Sequence, residues 1–369
     1  MPAVSIIIPI YGVEQYIESC ARSLFEQTLN DIEFIFVDDC TPDKSIEILQ
    51  KVIEEYPQRK PQAKIIRHEN NKGLPQARKT GIENSTGEYI GHCDSDDWVD
   101  KEMYGTLYQN ATKNKYDIIT CDILKTEQGH TNILSYFSQN PQSKEYIFKN
   151  IFSNTCLHNL VGTLAKRDLY SNIKIPQTSL YEDLVFTTQL FHRAKSVGYL
   201  HVPFYHYIIG SSSMTNAVHI EQKIKNLILA KHNFDIILNY IKDNSLNEKY
   251  ASTLKLFHNL NYQTIVRTNQ LNKEYQQYSY PKIKGGVIFN RDFNWLLKIR
   301  YIILSLRMYW LYDILDRKAT KIQKSETRWH NSYIILVNTL KIKNILLSSL
   351  RLQNDAFLIK VNLSLMLFR

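Results

Sequence analysis

Apolar positions along the first 120 residues alternate between two periods. Residues 4–10 form an almost continuous apolar run that takes in Pro9, which reads as a fully buried strand. Ile17, Cys20, Ala21, Leu24 and Phe25 then recur at helical spacing within 17–29. The alternation continues with a strand at 32–37, a helix at 45–56, a strand at 64–67 and a helix at 74–84. A strand at 89–93, a helix at 103–114 and a strand at 117–121 complete it. This order predicts an α/β fold with a doubly wound, mostly parallel sheet. Ligands of such sheets bind beyond the carboxyl ends of the strands. Tyr11, Asp38, Asp39, Asp94 and Asp96 all fall there.

Past residue 122 the pattern is mixed, with a helix at 184–194 and a strand at 198–202. From Ile220 onward it is helical, and Pro281 is the only proline left. A boundary is expected near 215–220. It separates a domain 1–215, with halves 1–122 and 123–215, from a helical region 216–369. Charge follows the same division. Residues 1–214 hold 21 Lys/Arg against 26 Asp/Glu, a balance of −5, whereas 215–369 hold 24 against 10, a balance of +14. The two parts are expected to do different jobs.

At 44% hydrophobic and 22% charged residues the composition is that of a globular chain, not a disordered one. The five cysteines form no CxxC pair, which argues against a zinc site or a disulfide framework and suits a reducing cytosol. The N-terminus lacks a signal-peptide pattern and no apolar run is long enough to span a bilayer. A cytoplasmic protein is expected.

Three segments carry candidate chemistry. Cys93-Asp94-Ser95-Asp96-Asp97-Trp98 follows a buried strand directly. Three carboxylates in four residues repel one another unless a cation lies between them. Hard oxygen ligands suit Mg²⁺ or Mn²⁺, which complete their shells with phosphate oxygens. A solvated acidic turn is the alternative. At Val37-Asp38-Asp39 the two acids can accept from a base N–H or a ribose hydroxyl, or simply end the strand. In Asn71-Lys72-Gly73-Leu74-Pro75-Gln76-Ala77-Arg78, a helix N-terminus flanked by Lys72 and Arg78 can receive an anion. An ordinary strand–turn–helix junction would look the same.

Taken in order, Val-Ser-Ile-Ile-Ile-Pro-Ile-Tyr (4–11), Val-Asp-Asp (37–39), Asn-Lys-Gly…Ala-Arg (71–78) and Asp-Ser-Asp-Asp (94–97) resemble the family 2 glycosyltransferases, which have the mixed, mostly parallel GT-A sheet. The resemblance is strong over 1–122, patchier to about 215 and not visible beyond. It implies an enzyme that moves a sugar with inversion from a nucleoside-diphosphate sugar to a hydroxyl of a glycan or lipid-linked acceptor. UDP is implied by family habit alone. Pro9 and Tyr11 would border the nucleobase, Asp39 would accept from it, and Asp38 would support the strand end. Lys72, Gly73, Arg78 and Ser95 would also belong to the nucleotide-sugar site, Arg78 near the diphosphate or base. Asp94 and Asp96 would form the DxD element and hold Mn²⁺ or Mg²⁺, with His206 as a further metal or phosphate contact. Asp183 of Tyr181-Glu182-Asp183 would be the general base. The same Asp183 could instead be a helix cap.

Two departures stand out. Gly12 occupies the place of the family's usual Asn, and Thr163 that of a frequent lysine. Phe204-Tyr205-His206-Tyr207 with Ser211-Ser212-Ser213 looks like the family's segment after the last core strand, able to close over the diphosphate or to pack as an aromatic strand.

The apolar, aromatic and basic stretch 295–311, with Arg317, Lys318, Lys321, Lys324 and Arg328 behind it, fits a helix lying on an anionic membrane surface. A helical bundle against the catalytic domain fits equally. No nucleic-acid-binding module is recognisable. A nucleotidyltransferase would need a Gly-rich loop after the first strand, and Pro-Ile-Tyr-Gly-Val-Glu does not supply one. A sugar-nucleotide-binding or membrane-scaffold protein without activity is the other alternative, since fold alone never fixes function.

Overall fold

The computed structural model describes residues 1–127, 129–137, 141, 143–152, 159–209, 220–246, 250–251 and 254. Strands β1 (Val4–Ile10), β2 (Ile32–Asp38), β3 (Ala63–Arg67) and β4 (Tyr89–His92) alternate with helices α1 (Ile17–Phe25), α2 (Ser45–Glu55) and α3 (Leu74–Glu83). They pair in parallel in the order β3-β2-β1-β4. Every residue of β1 and β2 is buried, as an apolar run in a doubly covered sheet requires. The first half therefore has the expected architecture.

The second half makes the sheet mixed. After the two-residue strand β5 (Trp98–Val99) and α4 (Met103–Asn114) come β6 (Ile118–Glu127), β7 (His130–Leu134) and α5 (Lys144–Phe152). Then follow β8 (Thr163–Lys166), α6 (Glu182–Arg193) and β9 (Val197–Ile209). The sheet continues β4-β8-β6-β9-β5, with β7 on β6. β8 runs antiparallel to both neighbours, while β6 and β9 share a long parallel ladder. Patterning alone shortened β6 and β9 and missed β5, β7, β8 and α5. α1 also stops at Phe25, short of the expected residue 29. Gln27 instead donates its amide to the carbonyl of Asp100, and the amide N–H of Thr28 bonds the carbonyl of Lys101.

Beyond the sheet, α7 (Ile220–Asp243) packs on α6. The expected helical region beyond residue 254, including 295–328, lies outside the described residues, as do Cys156 and Ser211–Ser213. Among the described residues no helix is long and apolar enough to cross a membrane.

Candidate active site

The site is built where β1, β2 and β4 end. In β1, Ile7 and Pro9 face β4, since the carbonyl of Ile7 accepts from Cys93 N–H and that of Pro9 from the Ser95 hydroxyl over 2.7 Å. The β1–β4 ladder stops at Ile7 and His92, so the N–H that Pro9 lacks has no ladder partner to lose. Ser95 is buried and fastens the two strand ends together. Tyr11 is 52% exposed and offers a ring face just past β1. Gly12 sits at φ +70° with open space about its α-carbon. Glycine and asparagine are the residues that tolerate this left-handed position, so the departure from the family's Asn leaves the turn intact.

Asp38, the last residue of β2, and Asp39 just after it are both buried. Asp38 accepts from Thr41 N–H over 2.8 Å, and its other oxygen lies 3.2 Å from Arg67 Nε, an ion pair without hydrogen-bond geometry. Asp39 accepts from the backbone N–H groups of Lys72 and Gly73, each over 2.8 Å. His68 Nδ1 lies 2.6 Å from Asp39 Oδ1, and its Nε2 lies 2.8 Å from the Thr80 hydroxyl on α3. Gly73, at φ +85°, opens α3 in a conformation that a side chain would strain. Asp39 thus fixes the turn that starts α3. Of its roughly four lone-pair sites, one on Oδ2 stays uncommitted. The Lys72 side chain is exposed.

Arg78, one turn into α3, is the hub. Its side chain is 1% exposed. Nε donates to Glu182 Oε1 and Nη2 to Asp94 Oδ1, both over 2.9 Å, and Nη2 lies 3.8 Å from Asp183 Oδ1. Burial alone would lower the pKa of Arg78, but the charges of Glu182, Asp94 and Asp183 raise it well above the ordinary value. Arg78 was expected beside the diphosphate or base. Instead it is enclosed by the carboxylates of Glu182, Asp94 and Asp183.

Glu182 and Asp183 open α6. Burial pushes the Glu182 carboxyl well up, against the pull of Arg78. Burial likewise raises Asp183 to about 6, with Arg78 opposing and Asp94 assisting. Tyr181, at φ 60°, is the N-cap residue, and α6 has no side-chain capping hydrogen bond. The cap reading of Asp183 therefore has no bond to rest on. Asp183 Oδ1 and Glu182 Oε2 meet no donor, and Arg78 Nη1 meets no acceptor, among the described residues. Unmatched buried polar atoms gathered in one place call for a partner such as water or a polar ligand.

The acidic turn divides its labour. Asp96 reaches solvent but is crowded by protein, and this crowding followed by the charge of Asp94 pushes it up to about 6. Asp97 is 1% exposed and structural, accepting from the Tyr205 hydroxyl over 2.7 Å and from Ile208 N–H over 2.9 Å. The Tyr205 hydroxyl also accepts from Asp94 N–H over 3.1 Å. Tyr207 shares that face of β9. Burial, then the charges of Asp97, Asp94, Asp96 and Asp183, push its hydroxyl up to about 12. His206 points the other way, because side chains alternate along a strand. Its Nε2 lies 3.0 Å from Asp100 Oδ1 and its ring stacks on Trp98 at 3.4 Å. The expectation that His206 joins Asp94 and Asp96 at a metal is corrected on this geometry. No three His, Cys, Asp or Glu are grouped for a metal among the described residues.

Sequence reading named Asp94, Arg78 and Asp183 but not the contacts that join them. It missed Glu182 as a partner of Arg78, and Tyr205 as the latch on the acidic turn. The only signal for either was position: Glu182 beside the candidate base, and Tyr205 in an aromatic run. Thr163 is buried, its hydroxyl 3.1 Å from that of Thr120, so the lysine's place is taken by a packing residue.

Known proteins share the sequence pattern and the fold. The chain is 34% identical over 224 residues to the uncharacterized glycosyltransferase EpsJ of Bacillus subtilis, covering 58% of this chain and 63% of that protein. Its fold resembles S. aureus TarS 1–349 in complex with UDP-GlcNAc, at TM-score 0.56 and 21% identity over 75% of this chain and 78% of that one. It also resembles the mannosyltransferase PcManGT of Pyrobaculum calidifontis in complex with GDP-Man and Mn²⁺, at TM-score 0.50 and 12% identity over 84% and 87% of the two chains. These likenesses support the GT-A architecture. The glycosyl transferase family 2 model matches residues 5–170, from β1 to just past β8, and over that region the chain is similar to the family.

Proposed function

We propose that this protein is an inverting glycosyltransferase that moves a sugar from a UDP-sugar to a hydroxyl of a glycan or lipid-linked acceptor. The observation that carries the reading is the single guanidinium of Arg78 between Asp94, on the donor side, and Asp183, a carboxyl whose Oδ1 meets no donor and which burial raises to about 6. A base of that pKa is ionised at neutral pH yet basic enough to take a hydroxyl proton as the bond to the sugar forms. Attack from the base's side, opposite the leaving diphosphate, inverts the anomeric centre.

Asp39 supports the choice of nucleotide. With three of its lone-pair sites committed, it has room for one donor. Uracil presents one imino N–H, whereas guanine presents an imino and an amino donor side by side and favours an open carboxylate. The exposed Tyr11 ring can stack on a base, and the basic Lys72 flanks the N-terminus of α3, where a diphosphate is favoured.

Asp94 and Asp96 fit Mn²⁺ or Mg²⁺. Both are hard oxygen donors, and burial followed by the charge of Asp94 raises Asp96. Such cations are commonly held by one or two carboxylates plus substrate phosphates, so a third protein ligand is not required. When bound, the cation supplies positive charge to the departing diphosphate.

The test is nucleotide release from a panel of UDP-, GDP- and dTDP-sugars with Mn²⁺, with and without hydroxyl acceptors. UDP release that acceptors accelerate is expected. Binding without release from any donor would make the chain a sugar-nucleotide-binding protein, and release from GDP-sugars alone would overturn the reading of Asp39.

A further inference from the structure

The base candidate reaches the site on a segment that α7 holds in place. Residues 176–181 lead into Glu182 and Asp183, and one buried side chain, Asn233 of α7, gathers that segment's backbone. Asn233 Oδ1 accepts from Gln177 N–H over 3.0 Å. Its Nδ2 donates to the carbonyls of Thr178 and Leu180, each over 2.8 Å, with the Thr178 hydroxyl at 3.2 Å. That hydroxyl in turn donates to the Leu229 carbonyl, one turn earlier on α7. Next to Asn233, Phe234 packs on Tyr181 with ring centroids 5.0 Å apart. Tyr181 is the left-handed residue, at φ 60°, whose backbone turns the chain into α6. At the far end of α6, His192 Nδ1 lies 2.9 Å from the Tyr240 hydroxyl of α7. The base helix is gripped at both ends.

A carboxamide suits this task because it donates and accepts at once, matching an N–H on one side and carbonyls on the other. Asn233 is 0% exposed, so each of these bonds forms away from competing water. A non-glycine residue held at positive φ persists only where its surroundings fix it. Here the surroundings are supplied from α7, outside the residues that match the family model and past the sequence boundary expected at 215–220.

We infer that Asn233 is a positioning residue for the general base, setting the place of Asp183 through the 176–181 segment, so that the working catalytic unit includes α7. This rests on Asp183 acting as base. A small misplacement of such a group costs one to two orders of magnitude in rate while leaving a distant donor site undisturbed.

The experiment compares wild type, Asn233→Ala, Asp183→Asn and the double variant in the full chain, reading UDP release with water as acceptor and UDP affinity. Thr178→Val, which removes one partner from the segment's side, serves as a gentler perturbation should Asn233→Ala not fold. Asn233→Ala is expected to lower kcat about 10- to 100-fold with UDP affinity unchanged. In the Asp183→Asn background the same substitution should cost almost nothing more, since a base that is gone cannot be misplaced. Amide exchange in 177–183 should speed up in Asn233→Ala and Thr178→Val. Equal losses in both Asp183 backgrounds, an unchanged kcat, or unchanged exchange in that segment would each overturn the inference. If wild type and Asp183→Asn release UDP equally, the assignment of the base has failed instead, and exchange still reports on the grip of Asn233.

Discussion

Arg78 and Glu182, 104 residues apart, are joined by a 2.9 Å hydrogen bond with neither side chain more than 3% exposed. A charge pair so deep gains from mutual attraction but loses the hydration of both ions, so removing one partner is worse than never having had the pair. Glu182→Ala is expected to destabilise the protein by about 3–5 kcal/mol, leaving Arg78 to Asp94 and Asp183. Glu182→Gln, which keeps an acceptor for Nε, should cost less. Urea denaturation of both variants checks the order. Equal stabilities would mean that an uncharged acceptor for Arg78 Nε contributes nothing at this junction.

Asp96 faces solvent at the mouth of the site, so its removal should spare the fold. Asp96→Ala is expected to keep the wild-type melting temperature while losing Mn²⁺-dependent UDP binding and donor turnover. Calorimetric titration of UDP with and without Mn²⁺ makes the comparison. A variant that binds UDP as well as wild type in Mn²⁺ would remove Asp96 from the cation site.

Activity and stability should move in opposite directions with pH. Asp183 and Asp96 both rise from an ordinary 3.8 to about 6. The folded chain then binds more protons than the unfolded chain between these values. Their contribution to stability is present below about pH 4 and lost as pH rises through 6. A base must be ionised, so kcat should fall as pH drops below about 6, the mirror of that trend. Measuring kcat at saturating donor and Mn²⁺ isolates Asp183 from proton competition at Asp96. A flat profile from pH 5 to 8 would contradict the value for Asp183.

Local residues were legible wherever one strand end or one helix face carried the message. The run at β1, the paired acids at the end of β2 and the acidic turn after β4 all stand where periodicity put them. Arg78 was legible as a basic residue near a helix start, but not as a buried hub. Its partners lie on β4's turn and on α6, and such pairings have no sequence period. β8 was hidden because its four residues, Thr163–Lys166, are too few to show alternation, although it joins β4 to β6. His206 was misplaced by one position's parity: Tyr205 and Tyr207 face the acids, and the residue between them cannot.

The basic segment 295–328 makes its own prediction from sequence. If it lies on a membrane surface, the full chain should sediment with anionic liposomes at low salt and be released as salt rises, because the attraction is screened within a Debye length of about 10 Å at 0.1 M. Equal recovery in the supernatant with and without liposomes would favour a helical bundle.

Asp183 separates a chemical role from a structural one. A base is needed for attack by the acceptor but not for holding the donor. Asp183→Asn is nearly isosteric, and although it removes one charge beside Arg78 the guanidinium keeps its bonds to Glu182 and Asp94, so UDP affinity and melting temperature should stay close to wild type. Transfer should fall by a factor of roughly 10² to 10⁴, the usual contribution of a positioned acid or base. Were the residue a cap, Asn would serve as well as Asp, and alanine would cost about 1 kcal/mol. The first turn of α6 shows no side-chain capping bond, so Asp183→Ala should lose little beyond the charge–dipole attraction, about 0.3–1 kcal/mol. That attraction is itself offset by burial of the carboxylate, which raises its pKa to about 6. Melting curves and transfer rates for the Asn and Ala variants therefore carry opposite signatures under the two roles. An Asn variant transferring sugar at the wild-type rate would take Asp183 out of the chemistry and turn attention to Glu182, the adjacent carboxyl already bonded to Arg78.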